Sequence, residues 1–115
     1  MNDATTNVAE LKTLVANFVA ERDWQRHHVP KHLVMSIMIE AAELMEHFQW
    51  VGVETPEEVK QDEARMQQVR EELSDVLAYT LSLANALDID VSSAYAKKMK
   101  KNASKYPADE VKNWD

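Results

Sequence analysis

Glu40 and Glu43 lie three residues apart in "IEAAELMEHFQW", among Ile39, Ala41, Ala42, Leu44 and Phe48. Glu72 and Asp75 repeat that spacing in "EELSDVLAY". Acids at i and i+3 project from one face of a helix. Each pair adjoins an apolar stripe, so both faces approach the interior, where an unpartnered carboxylate costs several kcal/mol. Two facing pairs would gather four carboxylates whose mutual repulsion calls for a cation. Oxygen ligands alone select a hard ion, Mg²⁺ or Mn²⁺. A di-iron bundle would place Glu-x-x-His on facing helices. His47 instead follows Glu43 by four residues, so iron is discounted and His47 is read as a structural or surface residue. The competing reading of the acids is a solvated face or pairing with lysine.

Both stripes continue into aromatics. Glu40, Glu43, His47 and Trp50 follow i, i+3, i+7, i+10, and Glu72, Asp75 and Tyr79 follow i, i+3, i+7. Such aromatics could form a flat slot for a base, or belong to a plain core. Near the other end, Lys98, Asn102 and Lys105 at i, i+4, i+7 offer two cations and an amide to phosphate or sugar oxygens, or form an ordinary solvated face. Five of the thirteen basic residues fall in "KKMKKNASK", whereas acids concentrate between Glu40 and Asp75. That asymmetry suits a metal ion with a polyphosphate. The net charge of −7 argues against duplex nucleic acid as a partner, which needs a basic surface.

The elements that position these residues are helical. One Gly and three Pro among 115 residues leave few turn signals, and the length fits one domain, 1–115, with a core of about 6–107 and a short tail. Val8, Leu11, Val15 and Phe18 predict a first helix from about Thr6 to Trp24, followed by the connector "QRHHVP". Val34, Ile37, Ala41, Leu44 and Phe48 predict a second, from about Lys31 to Val51. Its remaining surface carries Leu33, Met35, Met38, Ile39, Ala42 and Met45. A helix apolar on several sides is buried on several sides, and a short chain has few elements to do it, so a second subunit is expected. Thr55, Pro56 and Glu58 mark a capped start for a third helix reaching Leu87, interrupted in its polar early part. The last helix runs from about Ser92 to Tyr106. Together these predict an all-α, four-helix-bundle protomer. No cysteine is available for a disulfide or thiolate site, no apolar run would span a membrane, and the amino terminus has no secretory pattern, so a cytoplasmic protein is expected.

"FVAERDWQRHHVPKHL", "EAAELMEHFQW", "EELSDVLAY" and "KMKKNASKYP", in this order and spacing, resemble the MazG-like nucleotide pyrophosphohydrolases, particularly the small all-α dCTP pyrophosphatase branch. The resemblance covers roughly Leu11 to Pro107. It implies a MazG-like dimer or tetramer, a dimer of dimers being favoured, and Mg²⁺-dependent hydrolysis of a (d)NTP, dCTP or a related or modified nucleotide. The products would be the monophosphate and pyrophosphate, and the role sanitation of the nucleotide pool. By match, Glu40, Glu43, Glu72 and Asp75 hold the metal, and Trp24, Trp50 and Tyr79 surround the base. Lys98, Asn102, Lys105 and Tyr106 contact phosphates and sugar. Glu43 is assigned as general base, with Glu71 a spare acid. Three features depart from the pattern: Ile39 where longer relatives carry an acid, Lys105 where arginine is frequent, and His32 where asparagine is frequent. Two other functions fit parts of the pattern: a nucleotide-binding module without turnover, and a structural helical dimerisation protein.

Overall fold

The computed structural model describes residues 1–111, which contain helices and no strand. Asn7 starts α1 (Val8–Glu21) with a reciprocal capping box, accepting from the Glu10 amide at 2.9 Å while the Glu10 carboxylate accepts from its own. A single 3₁₀ turn at Gln25–His27 leads to α2 (Pro30–Glu46), whose proline occupies the first turn, where no amide is missed. Thr55 caps the short α3 (Pro56–Lys60), and Asp62 caps α4 (Glu63–Ala86). Asp90 caps α5 (Val91–Lys105), and Ala108–Val111 forms α6. The expected interruption of the third helix is the break between α3 and α4.

Two helices end sooner than the apolar pattern predicts. α1 stops at Glu21 because Asp23 takes a left-handed backbone, φ 54°, and Asp88 does the same after α4 with φ 53°. In a chain with one glycine, aspartate is among the few residues that tolerate this region. α2 stops at Glu46, although Phe48 and Trp50 continue its stripe. Residues 47–51 instead form tight turns, in which Phe48 N donates to Met45 O and Val51 N to Phe48 O.

α2 packs along α4, and α1 crosses α4 nearer its carboxyl end. Asn85 Nδ2 donates to Lys12 O at 3.1 Å, and Lys12 Nζ to Ile89 O at 2.8 Å, which fixes α1 against the end of α4. The buried apolar core consists of Val19, Leu33, Leu81 and Ala84. The fourth helix of the expected bundle is present but not packed into it. Of the fifteen residues of α5, only Val91 and Asn102 are even half-buried. The radius of gyration is 17.2 Å, against about 13 Å for a compact chain of this length.

No helix among the described residues is long and apolar enough to cross a membrane.

Candidate metal and nucleotide site

The half-buried residues Glu40, Glu43 and Leu44 on α2, and His47 just after it, face α4, and from α4 Glu72, Val76 and Tyr79 face back. Oxygens of Glu40, Glu43 and Glu72 all lie within 4.8 Å of one another. Glu40 Oε2 and Glu72 Oε2 are buried and have no hydrogen-bond partner. Leaving such acceptors unsatisfied is costly. Burial, hydrogen bonding to Glu43 and the charges of Glu43, Asp75 and Glu72 push the Glu40 carboxyl up to about 7. Burial and Glu43 also raise Glu72, while His47, with Nε2 4.0 Å from Glu72 Oε1, acts in the opposite direction. Glu43 lies within 4.8 Å of both raised acids. The three carboxylates, two of them with a buried unpartnered oxygen, have the donor chemistry of a hard divalent cation.

Asp75 is placed differently. Its side chain is exposed and lines the groove between α1 and α4 with Leu14 and Phe18, yet its charge is felt by both Glu40 and Glu72. A residue three positions along a helix is rotated by about 60° from its predecessor. That rotation carries Asp75 from the α2-facing side of α4 towards α1. Glu71 is exposed and accepts from Gln67 Nε2 at 3.3 Å.

Trp24 and Tyr79 come together. With His28, His32, Leu33 and Ser36 they line an open cavity of about 200 Å³. The His28 and Tyr79 ring centroids are 6.4 Å apart, and Trp24 meets Phe18 edge-on at 5.7 Å. Burial and the neighbouring His27 charge lower the His28 pKa, favouring a neutral imidazole. A second, smaller cavity shares Trp24, His28 and Tyr79 and is bordered by Asp75, joining the aromatic group to the acidic helix. His28 and Ser36 were not singled out from sequence, and His32 only as a departure from the family pattern. Their signal was proximity to Trp24 and the start of α2.

Trp50 stands on the turn after α2, 86% exposed, and lines neither cavity. Lys98, Lys105 and Tyr106 are exposed, with Lys105 Nζ 5.3 Å from the Tyr106 ring centroid, and Asn102 is half-buried. None of these α5-region residues lines the two aromatic cavities. Within one chain, the α5 face carrying Lys98, Asn102 and Lys105 is thus not part of the cavity that Trp24 and Tyr79 form.

The raised Glu40 carboxyl makes metal-free stability depend on pH. Its value of about 7 exceeds the ordinary 4.5, so the folded protein binds more protons than the unfolded chain between those values. The Glu40 contribution is complete below pH 4.5 and is lost as pH rises through about 7. Thermal melting in chelator should therefore show the midpoint falling from pH 5 to pH 8. Glu40→Gln should flatten that slope. A wild-type slope identical to that of the variant would mean Glu40 titrates normally.

The MazG-like family model matches residues 35–115, which include Glu40, Glu43, Glu72 and Asp75 and all of α5. Rat and human proteins named dCTP pyrophosphatase 1 are each 37% identical, over 98 and 99 residues, covering 85% and 86% of this chain. The chain spans 58% of the length of these curated relatives. The crystal structure of a pyrophosphatase from Archaeoglobus fulgidus superposes with a TM-score of 0.79 at 39% identity, covering 93% of this chain and 98% of that one. Extent and identity together leave one assignment: the chain belongs to the MazG-like family.

Proposed function

We propose that this protein is a divalent-metal-dependent nucleoside triphosphate pyrophosphohydrolase, with dCTP or a related or modified cytosine nucleotide as substrate. One observation carries the reading: three carboxylates converge between α2 and α4 with two oxygens buried and unsatisfied. The names of the relatives, dCTP pyrophosphatase 1 and a pyrophosphatase, support the reaction class and the base. A nucleotide-binding module without turnover would show the same metal site but release no pyrophosphate.

Glu40, Glu43 and Glu72 would hold Mg²⁺, with Asp75 adding charge from the edge. Bound there, the ion would supply counter-charge to the triphosphate and make a nearby water more acidic. Glu43, between the other two acids, is the general base that takes the proton of the attacking water on a carboxylate oxygen. Trp24, Tyr79 and, from the turn after α2, Trp50 surround the base. Lys98, Asn102, Lys105 and Tyr106 meet the phosphates and sugar once assembly brings α5 to the acids. The extent of exposed apolar surface supports a homo-oligomer, and we favour a dimer of dimers.

Incubation with a panel of nucleoside triphosphates and Mg²⁺, with pyrophosphate as the readout, tests the reaction. Release should be greatest with dCTP or a modified dCTP and should vanish in chelator. Binding without release would favour the non-catalytic module. Trp50→Ala should raise KM about tenfold, since base–aromatic stacking is worth about 1–3 kcal/mol per base. An unchanged KM with an unchanged helical spectrum would remove Trp50 from the slot.

A further inference from the structure

Arg65 lies in the first turn of α4, where the helix dipole disfavours a cation. Its guanidinium is instead spent on another element. Nη1 and Nη2 form a fork with Glu54, at 3.0 and 2.7 Å to the two carboxylate oxygens. Nη1 also lies 3.4 Å from the carbonyl oxygen of His47, at the end of α2, where a cation is favoured. The guanidinium carbon sits 5.4 Å from the centroid of the Phe48 ring. The Arg65 and Glu54 side chains are only 14% and 23% exposed, so this is not a solvated surface pair. Among the described residues, no other side-chain hydrogen bond joins segment 47–55 to α4.

That segment holds two residues of consequence. At one end His47 approaches Glu72, and between the anchored ends Trp50 stands 86% exposed. Without Arg65 the segment would keep its own tight turns and the His47 approach to Glu72, but no side-chain hydrogen bond to α4. The cation is misplaced for its own helix and well placed for the neighbouring turn, a local conflict that tertiary structure resolves.

We propose that Arg65 is a positioning residue: by gripping Glu54, the His47 carbonyl and Phe48, it fixes the turn that presents Trp50 to the nucleotide. The proposal rests on the pyrophosphohydrolase reading for its kinetic consequence. Its structural consequence, an ordered 47–55 segment, is independent of that reading.

The test combines steady-state pyrophosphate release from dCTP with backbone amide exchange across 47–55. Arg65→Ala and Glu54→Gln should each raise KM about threefold, a partial loss of the stacking contact that Trp50→Ala removes entirely, with kcat changed less than about twofold. Both should speed exchange in 47–55. Arg65→Lys keeps the charge but not the fork and should be intermediate. Arg70→Ala, which removes an exposed pair with Glu63 on the same helix, should match wild type. An unchanged KM with unchanged exchange overturns the proposal, and so does a fall in kcat at constant KM. If Arg65→Ala fails to fold, Glu54→Gln and Arg65→Lys decide by the same two readouts. If wild type releases no pyrophosphate from any nucleotide, the functional reading fails. Exchange in Glu54→Gln then decides the clamp: faster exchange sustains it, and unchanged exchange removes it.

Discussion

Glu40→Gln is expected to reduce Mg²⁺-dependent pyrophosphate release about a hundredfold or more, while the metal-free protein becomes no less stable. The substitution preserves shape and removes one charge from a group of three carboxylates whose oxygens lie within 4.8 Å. In the empty site that charge is a burden, as the raised Glu40 carboxyl shows. With metal and triphosphate bound it is a ligand and a counter-charge, and losing even an outer-shell partner costs about 10–100-fold in metal sites. Glu72→Gln should act alike. The double variant should add little, because residues that work as one unit are strongly non-additive. Glu46→Gln, on the same helix but exposed and off the acidic stripe, is the control. Full turnover in Glu40→Gln, or equal damage from Glu46→Gln, would reject the site.

Met38→Asp is expected to break the assembly and lower the melting midpoint by roughly 10 °C or more, the effect of several kcal/mol. The single chain exposes 9171 Å². A compact monomer of 13.2 kDa exposes roughly 6,400 Å². The difference, roughly 2,700 Å², is about three times what one partner buries in a standard interface. Its source on α2 is a stripe opposite the acids: Met35, Met38, Ala42 and Met45 at i, i+3, i+7, i+10, with Met38 65% exposed. Leu14 and Phe18 on α1 and Leu73 and Leu77 on α4 add to it. Light scattering at micromolar concentration should find no wild-type monomer. A monomeric Met38→Asp that keeps the wild-type midpoint would show the surface to be incidental.

The helices were legible because their signals are local. Apolar stripes located α1, α2 and α4, and the Thr55–Pro56 cap with the polar run after it placed the α3–α4 break. The end of α2 was not legible. Phe48 and Trp50 keep the helical rhythm, and what fixes the turn beneath them is the cation of Arg65, eighteen residues from His47. Glu40, Glu43 and Glu72 were readable from spacing within two helices, since i and i+3 determine direction. Asp75 obeyed the same spacing yet faces the α1 groove, because spacing says which residues share a broad face and not where a neighbouring helix divides it. His28 joins Trp24 and Tyr79 through a connector whose path is set by Asp23, a backbone choice that no periodicity announces.

α4 carries Arg65 near one end, Glu72 and Tyr79 in its middle and Asn85 near the other, all on one uninterrupted rod of 24 residues. Each of these side chains meets a different neighbour: a turn, an acid cluster, an aromatic cavity and α1. An inserted or deleted residue rotates everything beyond it by about 100° and slides it about 1.5 Å. A substitution in α4 therefore disturbs one contact, whereas a change in its length between Arg65 and Asn85 puts the turn and the α1 anchor out of phase with each other at once. The sequence of α4 can drift one position at a time, but its length cannot.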